Sequence, residues 1–238
     1  MLLTGAHLQG IKEVPGEELA KCELLQRINM SGNKLKTLPP EIGNLAALQR
    51  LNLFANQLEV LPQEIIKLAD LEELNLSANK LKELPRGFGA YNNLRILDLS
   101  SNRLTELTSQ IGLLGSLHEL LCSFNFIEVI PPEIGRLKNL TIFSIASNKL
   151  TQLPVEMSGL VGLKSLDVCK NLIQVLPPEL GILKELRKLD IAANPWIEEL
   201  KNPAKKGPDF LLNYLRTEEY DAVYFRWMQE QAKKKDRE

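Results

Sequence analysis

Leucine and asparagine recur along this chain at a fixed interval. Aligned on the asparagines, the hydrophobic and polar positions follow the pattern LxxLxLxxNxL, as in LQRLNLFANQL from Leu48 and LEELNLSANKL from Leu71. The alternation within each copy predicts a short strand whose leucines point inward and whose intervening residues face solvent. The asparagines lie 23 residues apart, at Asn33, Asn56, Asn79, Asn102, Asn125, Asn148, Asn171 and Asn194. Copies at one fixed period predict an array in which each coil buries its apolar face against the next.

The second half of each copy has its own pattern, LPxEIGxL, as in LPPEIGNL from Leu38 and IPPEIGRL from Ile130. Proline fixes its own backbone and lacks a donor, so it turns the chain onto the outer face. The isoleucine and leucine that follow supply two apolar anchors there. In the fourth copy Thr108 replaces the proline, and we expect a looser outer turn at that point.

The repeating asparagine has a structural explanation. A turn that brings backbone groups inside the protein must satisfy their hydrogen bonds, and an amide side chain carries both donors and an acceptor. We therefore expect the eight asparagines to form a ladder of buried side chains that bond the loops, in preference to a role in ligand binding.

These patterns predict an α/β solenoid, a leucine-rich repeat horseshoe with a parallel β-sheet on its concave side and eight 23-residue repeats. Such an array exposes its core at both ends unless caps cover them. Residues 1–24 are predicted to form a degenerate N-terminal capping repeat, in which Ile11 takes the place that Leu35 holds in the next copy. Residues 25–200 are predicted to form the array, and residues 201–238 a helical cap with a charged tail.

The stretch ANPWIEEL predicts the end of the array. Asn194 keeps the ladder, whereas Trp196 fills a place that leucine or isoleucine holds in earlier copies. Lys201–Asp209 is predicted to be a polar connector, and the aromatic residues beyond it fall on helical faces. We expect these helices to cover the last coil, with an aromatic docking surface as the alternative. The predicted cap residues are Trp196, Phe210, Tyr214, Tyr220, Tyr224 and Trp227.

The outward positions of the predicted strands are mostly polar, with one cluster of exceptions. Apolar residues on adjacent strands form a patch, which on a polar face marks a binding site more often than a scattered apolar residue does. Alternatively, these side chains fold back against the rim and cover each other. The predicted partner-binding residues are Ile96, Leu121, Phe124, Phe126, Ile142 and Phe54.

Composition and charge exclude several other functions. The 238 residues carry a formal net charge of -1, and no run of lysine and arginine is interleaved with aromatics, so we expect no nucleic-acid binding. His7 and His118 lie in different copies, and the sequence shows neither a triad nor a phosphate-binding loop. About 38 residues beyond the array are too few for a catalytic domain. We therefore expect no catalytic residue, no metal and no cofactor.

The cysteines and the chain start bear on the compartment. The three cysteines have wide spacing and no CxxC pair, which favours a reducing compartment. Cys122 takes an inward position, and Cys169 is either a somewhat reactive thiol or a small filler. No signal sequence and no long apolar run is present. We expect a cytoplasmic monomer that does not span a membrane.

The outer segment LPxEIGxL resembles that of the Ras-group intracellular leucine-rich repeat family. Within that family LPRGFG at Leu84–Gly89, NPW at Asn194–Trp196 and YLRTEEYDAVYFRWMQ at Tyr214–Gln229 resemble the Ras suppressor proteins. The resemblance implies a non-enzymatic, adhesion-associated scaffold of Ras-type signalling that binds a LIM-domain adaptor such as PINCH. The alternative is a regulator or assembly factor for a Ras-family GTPase or a protein phosphatase.

Overall fold

One parallel sheet organises the molecule, for which a computed structural model describes residues 11–235. Its strands pair in chain order, and each residue faces the equivalent residue of the next repeat, as Leu51 faces Leu74. The strands are β1 (Arg27–Asn29), β2 (Arg50–Asn52), β3 (Glu73–Asn75), β4 (Ile96–Asp98), β5 (Glu119–Leu121), β6 (Ile142–Ser144), β7 (Ser165–Asp167) and β8 (Lys188–Asp190). The predicted horseshoe solenoid with a concave parallel sheet is confirmed.

Short 3₁₀ helices form the outer face. Most begin after a proline in extended conformation, as at Pro131, whose φ and ψ are -67° and 143°. The helices are Pro40–Asn44, Gln63–Lys67, Phe88–Ala90, Ser109–Leu113, Pro132–Arg136, Val155–Gly159 and Pro178–Ile182. Successive outer helices pack so closely that a Cβ on Gly135 would collide with the Glu156 carbonyl. Glycine is required at that point because only its backbone fits between neighbouring coils.

The fourth outer turn differs from the prediction for Thr108. Thr108 adopts φ -60° and ψ 142°, the conformation of the prolines, and its hydroxyl accepts a hydrogen bond from the Gln110 N–H at 3.3 Å. The helix that follows, Ser109–Leu113, has the same five-residue length as Pro132–Arg136. The predicted loosening is therefore not seen, because a hydroxyl that caps the helix replaces the rigidity of proline.

The inward side chains of the strands and those of the outer 3₁₀ helices form one continuous core. Strand leucines such as Leu97 and outer anchors such as Ile111 are fully buried against each other. In the third copy Phe88 and Tyr91 replace the usual aliphatic anchors, and their rings meet edge to face at 5.2 Å. The buried Tyr91 hydroxyl donates to the Ile65 carbonyl of the preceding coil at 2.7 Å. An aromatic anchor is accommodated here because its polar end finds a partner.

At the N-terminal end the structure describes the predicted degenerate copy only from Ile11 onward. The Ile11 N–H donates to Asn33 Oδ1 at 3.1 Å, as the Leu35 N–H donates to Asn56 Oδ1 at 3.1 Å. Ile11 thus stands where Leu35 stands in the next repeat. Helix α1 (Gly16–Ala20) takes the place of the outer 3₁₀ helix. The rest of the predicted cap at residues 1–10, with His7, lies outside the described residues.

Three helices follow the last strand: α2 (Glu198–Lys205), α3 (Pro208–Leu215) and α4 (Glu218–Lys235). Helix α2 crosses the predicted boundary between residues 200 and 201. The connector predicted at Lys201–Asp209 is therefore wrong except at Lys206 and Gly207, because Lys201–Lys205 belong to α2 and Pro208 and Asp209 belong to α3. The reason is that Leu200 and Pro203, three residues apart, bury one face of the helix against the protein.

Helices α3 and α4 cover the last coil with a mixture of aromatic and aliphatic residues. Tyr220 and Trp227 are buried in this cap, whereas Tyr214 and Tyr224 are partly buried against it. Phe210 differs from the prediction, since 44% of it is exposed and the Lys206 ammonium lies 4.2 Å from its ring centre. The buried residues of α3 are instead aliphatic, namely Leu211, Leu212 and Leu215.

Trp196 lies at the junction between the array and this cap. It is partly buried and packs against the core. Its indole N–H donates to the Ile191 carbonyl at 3.2 Å. The large ring therefore fills the position that a leucine or isoleucine holds in the earlier copies, and its polar end is satisfied within the last turn.

Candidate functional site

The asparagine ladder fixes the loops that follow the strands. In the middle of the array, Asn102 Nδ2 donates to the carbonyls of Leu76 and Leu99 at 2.9 and 3.0 Å. Its Oδ1 accepts from the Leu81 N–H at 3.0 Å. The same arrangement recurs from coil to coil, and the amide groups are used by the backbone. A ligand would have to displace these bonds, so the binding site must be sought elsewhere on the concave side.

A second row of polar side chains stands at the carboxyl ends of the strands and was missed by the sequence reasoning. Asn75 Oδ1 accepts from the Ser77 N–H at 2.9 Å, and Asp98 Oδ1 accepts from the Ser100 N–H at 2.9 Å. These bonds tighten the turn that leads to the ladder. The signal was the recurrence of asparagine or aspartate at this position. The row comprises Asn29, Asn52, Asn75, Asp98, Asp167 and Asp190.

The fifth repeat breaks this row. Leu121 stands at the position of Asp98 and offers no acceptor to the Ser123 N–H. In the sixth repeat Ser144 takes the place, and the Ser123 hydroxyl lies 2.7 Å from the Ser144 hydroxyl and accepts from the Ala146 N–H at 3.1 Å. An apolar residue has thus replaced a turn-stabilising acceptor at the centre of the concave face, where folding alone favours a polar one.

The three aliphatic residues of the predicted patch lie on adjacent strands. Ile96, Leu121 and Ile142 are all partly buried. In register, however, Ile96 and Ile142 flank Glu119, and Leu121 lies two positions further along the same strand as Glu119. The three aliphatic residues therefore form a V across β4, β5 and β6, with Leu121 at its point and the Glu119 carboxylate between Ile96 and Ile142.

Two aromatic residues extend this surface to the rim at the carboxyl ends of the strands. Phe124 and Phe126 flank the ladder residue Asn125 and are 59% and 46% exposed. The Lys149 ammonium lies 5.4 Å from the Phe126 ring centre. The aromatic surface therefore stays largely accessible, which speaks against the alternative that the patch residues cover each other.

Phe124 also has an unfavourable backbone conformation for its size. Its φ is 58°, in the left-handed region, where the flanking repeats place Ser101 and Ser147 with φ of 56° and 54°. A bulky side chain is uncommon in this region because its Cβ crowds the following carbonyl. Phenylalanine at this position is thus not explained by local folding.

Phe54 does not join the patch. It is 46% exposed and lies in the second repeat, with its N–H bonded to Asn52 Oδ1 at 3.0 Å. Its equivalent in the fifth repeat is Ser123, three strands away, which corresponds to about 14 Å. The structure therefore brings Ile96, Leu121, Ile142, Phe124 and Phe126 together and leaves Phe54 apart; these five residues are called the concave patch below.

Two adjoining depressions lie beside the concave patch. One of about 330 Å³ is bordered by Arg50, Glu73, Ile96, Asp98 and Leu121, and Arg50 Nε lies 3.2 Å from Glu73 Oε1. The other, of about 290 Å³, lies at the amino ends of the strands, where its border includes Glu72, Arg95, His118 and Glu119. Both are open hollows. Their shape suits side chains of a partner surface better than a small molecule that needs enclosure.

Within residues 11–235, His118 and the cysteines do not assemble into a catalytic group. His118 Nδ1 lies 2.7 Å from the Ser116 carbonyl. Burial raises the pKa of the Cys169 thiol to about 11, with the hydrogen bond to Asp167 and the charges of Asp167 and Asp190 acting in the same direction. A reactive thiol requires a lowered pKa, so the filler interpretation of Cys169 is favoured. Cys122 is fully buried, as expected of a core position.

Cys169 has two carboxylates as neighbours, and the ligand-type atoms of Asp167, Cys169 and Asp190 lie within 4.8 Å of one another. Both carboxylates already accept backbone hydrogen bonds, from the N–H groups of Cys169 and Ala192. The expected absence of a metal stays a prediction. No helix in residues 11–235 combines the length and apolar character that a membrane crossing requires.

Comparison with known proteins identifies the repeat. A family described as "Leucine-rich repeat region" matches residues 86–206, and two others, "Leucine rich repeat" and "Leucine Rich Repeat", match residues 46–104 and 24–45. A search of curated protein sequences found no match.

Solved structures with the same fold come from bacteria and plants. The leucine-rich repeat protein LIC12759 of Leptospira interrogans is 37% identical with a TM-score of 0.79, and the alignment covers 83% of this chain and 50% of that one. The Arabidopsis receptor kinase HAESA, in complex with the peptide hormone IDA and the co-receptor SERK1, is 25% identical with a TM-score of 0.71, and 79% and 33% of the two chains are covered. This chain thus spans half the length of the bacterial protein and a third of the plant receptor.

Leucine-rich repeat domains generally mediate protein–protein interaction and are generally non-enzymatic. The match to residues 86–206 covers about half of the chain, and the sheet, the ladder and the bacterial structure agree with it. The chain belongs to the leucine-rich repeat family.

Proposed function

We propose that this protein is a non-enzymatic scaffold that docks a folded partner domain on the concave patch. One observation carries the proposal: the fifth repeat departs from its neighbours twice, and both departures expose apolar surface at some cost to folding. Leu121 gives up an acceptor that the turn uses elsewhere, and Phe124 holds a bulky side chain in the left-handed region. Residues that depart from the repeat pattern at a cost to stability are expected at functional sites.

The dimensions of the concave face support a folded partner. Eight strands at a spacing of about 4.8 Å give a strip roughly 34 Å long. A strip of this length is long enough to hold an interface of standard size, about 800 Å² per partner. The exposed aromatic rings of Phe124 and Phe126 at its rim are of the type that supplies most binding energy in such interfaces. The HAESA structure is itself a complex with a peptide hormone and a co-receptor, so the fold is suited to protein ligands.

For the cellular setting we propose adhesion or Ras-type signalling in the cytoplasm, with a LIM-domain adaptor such as PINCH as the partner. The support is the resemblance of LPRGFG at Leu84–Gly89 and of the tail at Tyr214–Gln229 to the Ras suppressor proteins. In the tail, Tyr220 and Trp227 are buried in the cap. These two rings are therefore not accessible to a partner, whereas Phe210 and Phe225 of the same cap are 44% and 65% exposed, so an aromatic docking surface on the tail stays the alternative.

A pair of substitutions that returns the fifth repeat to the pattern of its neighbours tests the proposal. Leu121→Asn restores the acceptor that Asn75 supplies in the third repeat, and Phe124→Ser matches Ser101 and Ser147. We expect the double variant to melt at or above the temperature of the parent protein and to lose capture of the purified LIM domains of a PINCH adaptor. Capture that survives the double substitution would refute the concave patch as the docking site.

The matched control is Phe54→Ser, since Phe54 has a similar exposure but lies outside the concave patch. It should leave capture unchanged. The same purified protein should be offered a Ras-family GTPase loaded with GTP or with GDP and a protein phosphatase. Capture of the GTPase in the GTP form alone, without capture of LIM domains, would replace this proposal by a regulator of a GTPase.

A further inference from the structure

We infer that the concave patch selects a partner segment in which a cationic side chain stands next to an apolar one, and that Asp98 binds the cation. The inference rests on the proposed function, because it names the chemistry of the partner at the same face. It concerns the larger depression, where Asp98 lies between Asn75 and Leu121 in the register of the sheet.

Asp98 is a partly buried carboxylate without an ionic partner. Its Oδ1 accepts from the Ser100 N–H at 2.9 Å, and no lysine or arginine of residues 11–235 lies within 4.0 Å of it. Glu73 in the same depression is different, since Arg50 pairs with it at 3.2 Å. Of the two carboxylates that border the depression, only Asp98 is therefore available to a cation brought by a partner.

The negative charge of Asp98 is not needed for the fold. Asn75 makes the same turn bond to Ser77 at the same distance of 2.9 Å with a neutral amide. The Asp98 carboxylate stands beside Ile96 and Leu121 at the border of the depression, where it is positioned to pair with a cation that a partner brings. Asp167 and Asp190 hold the same charge at equivalent places, but of the three only Asp98 borders the depression with Ile96 and Leu121, where its charge is available to an external partner.

The surroundings of Asp98 favour a cation over an anion. The borders of the two depressions hold four carboxylates, Glu72, Glu73, Asp98 and Glu119, and two guanidinium groups, Arg50 and Arg95. The excess of negative charge attracts a basic segment and repels an acidic one.

The apolar lining of the depression indicates which apolar side chains the partner segment carries. Ile96 and Leu121, two residues of the concave patch on neighbouring strands, form this lining. The larger depression extends from β2 to β5, about 14 Å, which an extended segment of four or five residues spans. The occupant that fits is thus a short extended stretch of a protein in which leucine-like side chains flank an arginine or lysine.

A defined peptide pair tests the inference. The probes are acetyl-Gly-Leu-Arg-Leu-Gly-amide and the same peptide with citrulline, the neutral isostere of arginine, titrated to about 10 mM into methyl-labelled protein at low salt. The readout is the NMR shift of the Ile96 and Leu121 methyl groups. We expect the arginine peptide to bind about two- to fivefold more tightly than the citrulline peptide, as for a single exposed ion pair, and this preference to vanish at high salt.

Two charge-neutral variants complete the test. Asp98→Asn keeps the turn bond and should abolish the preference for arginine. Asp190→Asn, which removes an equivalent charge at the far end of the sheet, should leave the preference unchanged. Thermal melts of both variants should match the parent protein, because asparagine makes the same turn bond at Asn75.

Equal binding of the two peptides, a preference that survives Asp98→Asn, or no methyl shift at the highest concentration would each overturn the inference. The proposed function fails separately, since it depends on capture of a folded domain by Leu121 and Phe124. If that capture is lost in the Leu121→Asn, Phe124→Ser variant while the peptides show no arginine preference, the docking site stands and the charge selection does not.

Discussion

Tyr220 and Leu176 are joined by two hydrogen bonds across 44 residues of sequence. The Tyr220 hydroxyl donates to the Leu176 carbonyl at 2.6 Å and accepts from the Leu176 N–H at 3.1 Å. Tyr220 is fully buried, and burial raises the pKa of its hydroxyl well above the ordinary value. One phenol thus satisfies both backbone groups of a residue in the seventh repeat and attaches helix α4 to the array.

Removal of this hydroxyl should destabilise the protein without affecting its surface. Tyr220→Phe leaves the Leu176 N–H and carbonyl buried without partners, which costs about 2 kcal/mol. For a chain of this size the melting temperature should fall by about 4 to 8 °C. A calorimetric melt checks this, and capture of a partner at the concave patch should be unchanged at a temperature well below the transition.

Tyr224→Phe is the matched control for Tyr220→Phe. Tyr224 is only partly buried in the same cap, and its hydroxyl has no hydrogen-bond partner within residues 11–235. Its melting temperature should lie within about 1 °C of the parent protein, as for an ordinary surface substitution. Equal losses for the two variants would show that ring packing, and not the double hydrogen bond, holds α4 in place.

The ladder should be more sensitive in the middle of the array than at its end. Asn102→Leu leaves the buried Leu81 N–H without a partner and removes one of the two amide donors at the Leu76 and Leu99 carbonyls, which keep their bonds from Asn79 and Asn125. It should cost about 2 kcal/mol. Asn194 makes the corresponding bonds but is only partly buried, so Asn194→Leu should cost less, because water can reach the exposed groups.

Hydrogen exchange distinguishes these two variants better than a melt alone, because repeat arrays can open locally. Asn102→Leu should raise exchange in the third and fourth repeats, whereas Asn194→Leu should raise it only near the C-terminal cap. A uniform increase along the whole array in both variants would indicate that the ladder acts as a single cooperative unit and would contradict this expectation.

The fold was predictable because each of its rules repeats. Leucines at fixed spacing set the strands, and a buried amide such as Asn102 sets the loops, so eight independent copies point to the same structure. The predictions that failed concern the C-terminal cap, which has no repeating sequence pattern. Helix α2 begins before the predicted connector, and Phe210 faces solvent while Leu212 is buried, because the packing of a cap depends on contacts that periodicity does not encode.

The concave patch was only partly predictable. Leu121 and Phe124 are visible in the sequence because they differ from every residue at the same place in the other copies. Asp98 is not, since a carboxylate at that place looks like another turn acceptor. Asp98 lacks a cationic neighbour because of the side chains that the adjacent strands place beside it, and these are known only from the structure. Phe54 shows the opposite case, an exposed aromatic that three-dimensional register separates from the rest.

Thr108 offers a test of how the outer turns are made rigid. Its φ of -60° is compatible with proline, and no backbone hydrogen bond from its N–H is present within residues 11–235. Thr108→Pro should therefore keep the helix Ser109–Leu113. Restriction of the unfolded chain contributes about 0.4 to 1 kcal/mol of stability, and loss of the hydroxyl cap removes a similar amount, so the free energy of unfolding should stay close to that of the parent protein.

Thr108→Ala is the companion variant, because it removes the hydroxyl without adding the ring. It should cost about 0.5 to 1 kcal/mol through loss of the bond to the Gln110 N–H. Urea denaturation of the two variants measures the difference. If Thr108→Ala were as stable as the parent protein, the cap would have no role, and the ordered turn would have to be attributed to packing of Ile111 alone.

Alkylation of Cys169 should depend steeply on pH. Its pKa of about 11 leaves only about one thiol in a thousand ionised near pH 8, and thiolate is the nucleophile. The rate of reaction with iodoacetamide should therefore rise about tenfold per unit between about pH 8 and 10. Mass spectrometry of the Cys169 peptide measures this rate separately from Cys22, and Cys122 should stay unmodified in the native protein because it is fully buried.

Asp167→Asn decides whether the neighbouring charges contribute to this pKa. The substitution keeps an acceptor for the Cys169 N–H, which lies 3.1 Å from Asp167 Oδ1, but removes a negative charge that disfavours the thiolate. The pKa of Cys169 should fall, and alkylation near pH 8 should become faster because a lower pKa means more thiolate at the same pH. Lys170 acts in the opposite direction, so Lys170→Gln should raise the pKa and slow the reaction. An unchanged rate in both variants would leave burial as the sole cause of the raised pKa.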